Sequence, residues 1–156
     1  MTKLTTIAVD QLQSMQGTKL GISPWIQLSQ LMVNQFADIT NDHQFIHIDP
    51  ERAATETPFG GTIAHGFLTL SQLTQMAEST LPVIKDVRMS INYGFDRIRF
   101  ITPVRSGARV RAHFTLELAE ERTAGEWTLH HDITVEIEHN ERPALSAIWI
   151  TRQYTG

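Results

Sequence analysis

The sequence predicts an α+β domain in which one long apolar helix is wrapped by a curved antiparallel β-sheet. Three observations carry this expectation. Ile63, Phe67, Leu70, Leu73, Met76 and Ala77 recur at helical spacing in a stretch without a breaker after Gly66. Everything after Val87 is rich in β-branched and aromatic residues, cut by turn signals at Gly94, Pro103 with Gly107, Gly125, and Asn140 to Pro143. Helical patterns come first and strand patterns follow, which is the order of an α+β layer.

The elements follow in order. The first 20 or so residues are polar and loosely patterned, and Gly17, Gly21 and Pro24 mark turns around a short segment, 19–22. Ser29 reads as a helix N-cap, followed by Leu31, Met32, Phe36 and Ile39 at 3–4 spacing, with a stop near Thr40-Asn41. Asn tolerates the left-handed conformation that ends helices. Asp49-Pro50 opens a second, short helix through Ala54. Pro58, Gly60 and Gly61 form a turn, and the central helix is expected over 63–79, ended by Leu81-Pro82. Strands are expected over 87–93, 97–101, 110–118, 127–137 and 144–152, joined by short links as an antiparallel meander. Burying the apolar helix against one such sheet is the physical description of a hot-dog fold. The sheet leaves an edge open, so a homodimer or higher homo-oligomer is expected.

Composition bounds the partners. The 156 residues fit a single domain, 1–156, with a core that needs no staples. A net charge of −4 gives no field for nucleic acid, although a local basic pocket for a phosphorylated group is compatible with it. With no cysteine there are no disulfides, thiolate nucleophiles or Cys-based zinc sites. No apolar run suggests a signal peptide or a membrane span, so a cytoplasmic location is expected.

Of the seven histidines, His113, His130 and His131 lie in strand patterns and His139 beside a turn; these read as surface or core residues. His43, His47 and His65 lie next to turn signals and acidic or glycine residues. Asp42 and His47 are five apart, so they would not share a face of a regular helix and meet only if the chain bends between them. Phe45 and Ile46 can anchor such a bend. A carboxylate beside an imidazole can hold one water and move its protons. His65-Gly66 opens the central helix, whose first-turn N–H groups have no internal partner and favour negative charge, while glycine admits a close approach. An oxyanion on a thioester carbonyl suits that place. His43, His47 and Asp49 match no metal-ligand spacing, so no metal is expected. No GxGxxG, P-loop or GxSxG element occurs.

Three ordered blocks resemble a known family. Residues 36–53, which run from Phe36 through Asp42, His47 and Pro50 to Ala53, look like the signature of MaoC-like dehydratases, in the nodulation-protein-N-like branch of (R)-specific enoyl-CoA hydratases. Residues 58–68, with His65-Gly66, resemble the second block, and 92–107, with Asn92, Arg97, Pro103 and Gly107, the third. The resemblance implies a hot-dog fold, Asp42 and His47 as the catalytic pair, the Gly66 N–H as oxyanion donor with His65 beside it, and Thr74 as a hydroxyl supporting the Asp. It implies hydration of a trans-2-enoyl thioester to the (R)-3-hydroxyacyl product, or the reverse, with the substrate carried on coenzyme A or a carrier protein and no other cofactor. Two positions depart from the commonest pattern. Asn41 stands where a glycine usually precedes the Asp, and Gln44-Phe45 replaces an Asn-Pro. Asn41 can mimic the glycine's backbone, so the departures bear on substrate more than on the pair. Arg97, Arg99 and Arg105 could fork onto coenzyme A phosphates, or could serve a sheet edge and brace loops.

Two other readings stay open on sequence. A hot-dog thioesterase usually needs a carboxylate on or near the central helix, and here the helix carries only Glu78, near its far end. A non-catalytic acyl-binding module would have no use for an intact Asp42, His47 and His65-Gly66.

Overall fold

The apolar stripe of residues 66–78 packs against a six-stranded antiparallel sheet. The computed structural model describes residues 4–156. In chain order the elements are β1 (Thr6–Ile7), two short 3₁₀ turns (Val9–Gln11 and Gln13–Met15), β2 (Lys19–Ile22) and β3 (Ile26–Gln27), then α1 (Gln30–Thr40), α2 (Phe45–Ile48), α3 (Pro50–Glu56), α4 (Gly66–Ser71) and α5 (Leu73–Glu78), and finally β4 (Val83–Ile84), β5 (Val87–Phe100), β6 (Arg109–Thr123), β7 (Glu126–Ile137) and β8 (Leu145–Thr155). Leu68, Leu73 and Met76 from the helix meet Val110, Phe114, Ile133, Leu145 and Trp149 from the sheet. Each such fully buried side chain contributes about 1.5–3 kcal/mol. This is the hot-dog arrangement.

Local chemistry sets the helix ends where the sequence places them. The Ser29 side chain accepts a hydrogen bond from the Met32 N–H at 3.3 Å, and Asn41 closes α1 at φ 58. The Asp49 side chain caps α3 by accepting from the Arg52 N–H at 3.0 Å, with Pro50 in the first turn.

Three expectations are corrected. The central helix begins at Gly66 rather than residue 63, because Ile63 is extended and bridges to Arg105. It tightens at Gln72, whose N–H reaches back three residues to the Thr69 carbonyl at 3.3 Å, so α4 and α5 are two short pieces of one run. The strands expected over 87–93 and 97–101 are one strand, β5, bent by register shifts between Asn92 and Gly94 and between Asp96 and Arg99; Arg97 takes φ 54 in the second. Bulges absorb the residues that read as a turn. The meander holds only for β6, β7 and β8. The sheet order is β2-β6-β7-β8-β5, with β3 also on β6, so the chain leaves β5 and crosses over to the other side of the sheet before β6. Among the described residues β5 pairs only with β8 and forms an open edge.

The N-terminal segment adds a second, smaller core. Ile7 and Leu12 pack on Leu116, Trp127 and Leu129, and β1 runs parallel to β4.

Candidate active site

The site is assembled where the N-terminus of the central helix meets α2. After Asn41 turns the chain out of α1, residues 42–44 carry it into α2, whose single turn is tied down from several sides. The Ile63 N–H donates to the Ile46 carbonyl at 2.9 Å. The Gln30 amide donates to the His47 carbonyl at 2.7 Å and accepts from the Thr62 hydroxyl at 2.6 Å, linking α1, α2 and the 60s loop. The bend needed for Asp42 and His47 to meet is therefore built from backbone and amide bonds.

His47 is 6% exposed. Its Nδ1–H donates to the Ile63 carbonyl at 2.7 Å, which leaves Nε2 as the ring's lone-pair atom. Burial pushes the His47 pKa below 6.5, against the raising effect of that same hydrogen bond. His65, 3% exposed, stacks on His47 with ring centroids 3.7 Å apart and planes inclined by 22°. The His65 Nε2–H donates to the Asp42 backbone carbonyl at 3.0 Å and lies 4.0 Å from the Asp42 carboxylate. His65 thus touches both other residues. One atom each from the Asp42 carboxylate and the two rings lie within 4.8 Å of one another. A single water bridging two hydrogen bonds of about 2.8 Å spans such a gap.

The same three residues form a set of metal-binding type. In the His65 ring the Nε2–H is committed to the Asp42 carbonyl, which leaves that atom no lone pair to offer a cation.

Beside His47 a cavity of about 250 Å³ is lined by Gly66, Thr69, Phe100, Thr102 and Ala144 among others. Gly66 is exposed, and a side-chain carbon there would sit 3.0 Å from the Phe100 ring. Glycine here lets the Phe100 ring pack close against the backbone of the helix's first turn, at the wall of the cavity.

The model of the MaoC like domain matches residues 11–137. The chain belongs to the MaoC-like dehydratase family. It is 52% identical to Nodulation protein N of Rhizobium meliloti over 92% of this chain and 89% of that protein. It is 44% identical to 3-hydroxyacyl-thioester dehydratase Z of Mycobacterium tuberculosis over 93% and 95% of the two chains. Among solved structures it resembles the (R)-hydratase of A. caviae involved in PHA biosynthesis, with a TM-score of 0.67 and 26% identity over 86% of this chain and 93% of that one.

In this MaoC-like chain the remaining candidates fall in different places. Thr74 does not stand by Asp42. It is exposed on the second half of the helix and lines a different cavity. A different helix hydroxyl, Thr69, stands beside His47. It is 2% exposed, lines the His47 cavity, and its hydroxyl donates to the His65 carbonyl at 3.4 Å. The signal was available: Thr69 follows Gly66 by three residues, one helical turn, whereas Thr74 lies roughly 140° around the axis and about 7.5 Å beyond Thr69. Arg105 reaches the site's edge but is engaged. Its guanidinium donates to the Phe59 carbonyl and fills the space over Gly60 and Gly61, which makes it a brace of the 59–61 loop. Arg97 and Arg99 lie beside Asp132, Ser146 and Ile148, on the sheet face opposite the helix. Arg97 also pairs with Glu117 at 3.6 Å. His43 is exposed and bonds Asp38 at 2.9 Å.

Proposed function

We propose that the protein is an (R)-specific enoyl-thioester hydratase, or 3-hydroxyacyl-thioester dehydratase in reverse, with a water held between Asp42 and His47. The observation that carries this reading is the approach of the Asp42 carboxylate and the two buried rings to within 4.8 Å, beside the cavity that His47 and Gly66 line.

His47 suits the base. Its Nδ1–H is committed to Ile63, and burial keeps the ring neutral near pH 7, so Nε2 can take the water proton. The hydroxide oxygen bonds to C3 of the trans-2-enoyl thioester as the double bond's electrons move toward the carbonyl. The enolate-like oxygen that develops is held by the Gly66 N–H. The proton taken up by His47 passes to C2 from the same face, with Asp42 fixing the water and assisting the delivery, which completes the addition and returns His47 to its neutral form. Every atom comes from water and substrate, so the step calls for no other cofactor. The carrier is coenzyme A or a carrier protein.

Hydrolysis is disfavoured because the one helix carboxylate, Glu78, lies at the opposite end from His47 and lines the other cavity. The open edge of β5 supports a homodimer. Among the described residues no helix is long and apolar enough to cross a membrane.

The test is loss of the enoyl absorbance of crotonyl-CoA, followed by chiral analysis of the product. Wild-type protein is expected to form the (R)-3-hydroxy product. Asp42→Asn and His47→Ala are expected to lose about 10²–10⁴-fold in kcat while keeping the fold. Release of free thiol without hydration would replace this reading with hydrolysis.

A further inference from the structure

The short turn that carries His47 does not hold itself. α2 has four residues, and a lone helical turn is marginal in water, because forming it fixes several residues for one hydrogen bond. No side chain caps its start, and no proline within it fixes the backbone. The carbonyls at its end, which a helix leaves without internal partners, are taken up from outside. The Ile46 carbonyl accepts from the Ile63 N–H at 2.9 Å, and the His47 carbonyl accepts from the Gln30 amide at 2.7 Å. The first bond is made by backbone and is indifferent to side chains. The second is made by a side chain and depends on residue 30 being what it is.

The Gln30 carboxamide is fully engaged. Of the two hydrogens on Nε2, one goes to the His47 carbonyl and the other to Oδ1 of Asn34 at 2.8 Å, while Oε1 accepts from the Thr62 hydroxyl at 2.6 Å. Turned over, the amide would set its oxygen against the His47 carbonyl, so the three bonds fix one orientation. Thr62 is 5% exposed and rests on a braced segment. Its carbonyl accepts from the Ser106 N–H at 2.9 Å, and the Ala64 N–H donates to the Val104 carbonyl at 2.8 Å. Between Thr62 and Ala64, Ile63 supplies the carbonyl that takes the His47 Nδ1–H at 2.7 Å. His47 is therefore gripped at two points, the ring by Ile63 and the backbone by Gln30, and both grips lead back to the same three residues, 62–64. With only one of them, the ring is free to pivot on the other. A displacement of about 1 Å in a reacting group costs about 10²-fold in rate.

We propose that Gln30, oriented by Thr62, is a positioning residue of this site: it holds the His47 carbonyl and thereby aims Nε2 of the ring at the water shared with Asp42. Its effect on rate rests on the hydratase reading, whereas its effect on the alignment of His47 does not.

Three variants of the full chain test this. Gln30→Met keeps the length of the side chain and removes its hydrogen bonds. Thr62→Val keeps the shape and removes the hydroxyl, and Thr62→Ser keeps the hydroxyl. With crotonyl-CoA, Gln30→Met is expected to lose about 10–100-fold in kcat while KM stays within about twofold, because Gln30 does not line the cavity beside His47. Thr62→Val is expected to lose at least about fivefold in kcat, and Thr62→Ser to stay within about twofold of wild type. The second readout needs no turnover. In proton–nitrogen NMR spectra of the imidazoles, the His47 Nδ1 proton held on Ile63 is expected as a sharp downfield resonance in the wild type, broadened or lost in Gln30→Met and Thr62→Val and kept in Thr62→Ser. A wild-type resonance in a folded Gln30→Met or Thr62→Val overturns the proposal, as does an unchanged kcat in either, or an equal fall for Thr62→Val and Thr62→Ser. Should Gln30→Met not fold, the two Thr62 variants carry the same comparison. Wild-type protein that leaves crotonyl-CoA unchanged refutes the hydratase reading instead, and the Nδ1 resonance then decides the role of Gln30 alone.

Discussion

Acid should destabilise this protein over a window set by one buried side chain. His131 is 3% exposed, and burial holds its pKa at about 4 against an ordinary 6.5. A hydrogen bond with the Trp149 backbone recovers part of that shift, and the positive field of His130 adds slightly to it. Between those two pH values the unfolded chain binds a proton that the folded chain refuses. Stability therefore rises with pH across the window: it is fully present above 6.5 and is lost as the pH falls toward 4. The gap between 6.5 and about 4, at 1.36 kcal/mol per unit, amounts to about 3 kcal/mol in full. The assay is urea unfolding at a series of pH values for the wild type and for His131→Leu, which cannot titrate. The variant's absolute stability will differ, since it loses the bond to Trp149. The informative quantity is the slope with pH. Contributions from His47, Glu136 and Glu138 are common to both proteins and cancel in the difference. The wild type is expected to be the steeper by up to about 1.4 kcal/mol per pH unit within the window. Equal slopes would refute the assignment of a neutral buried His131.

Other outcomes are expected at the site. Gly66→Ala places a carbon 3.0 Å from the Phe100 ring, which is 49% exposed and can move; stability should change by no more than about 1 kcal/mol while kcat falls, as unfolding and turnover measurements will show. The pH profile of kcat/KM should hold its plateau below 6.5 and fall only where the depressed His47 takes a proton; an acid limb centred above 6.5 would exclude neutral His47 as the base. His65→Ala removes the stacked ring and the donor to the Asp42 carbonyl, and should cost about 1–3 kcal/mol of stability together with a displaced acid limb. Arg97→Ala with Arg99→Ala should leave KM for crotonyl-CoA within about twofold, because both side chains lie on the face opposite the helix; a large rise in KM would place coenzyme A there.

Sequence signals were strongest where chemistry is local. Ser29, Asn41 and Asp49-Pro50 each set a helix end through a bond within three residues or a backbone angle of their own. The bend between Asp42 and His47 was legible only as a requirement. The groups that impose it, Gln30 and Ile63, lie 17 and 16 residues from His47 in sequence, and Thr62 ties in through Gln30. Strand order was hidden for the same reason. β5 and β6 are neighbours in sequence but lie on different sides of the sheet, which is decided by long-range pairing. The extended backbone at Ile63 set the helix start three residues later than its apolar spacing suggested. That phase separates Thr69 from Thr74. The cavity that Thr74 lines left no trace in the pattern, because its lining comes from eight or more separate stretches of chain, each apolar for ordinary reasons.

Asp42 and His47 sit in unlike surroundings, and the difference bears on what completes the site. His47 is sealed, while the Asp42 side chain is 53% exposed. A carboxylate open to bulk water is screened and reorganises its solvent during reaction, so proton transfer at Asp42 gains from a dry cover. Among the described residues, nothing of this chain supplies one. Phe67 is 70% exposed and meets the half-exposed Phe100 edge-on at 6.0 Å, and Phe100 is the last residue of the edge strand β5. One event, pairing of that edge with a second copy, would hide apolar surface next to Gly66 and narrow the solvent's approach to Asp42. Specific activity should then fall on dilution in step with dissociation. Sedimentation and initial rates measured over the same concentration range test this directly. A specific activity that stays constant while dimer gives way to monomer would mean that the acyl thioester alone provides the cover.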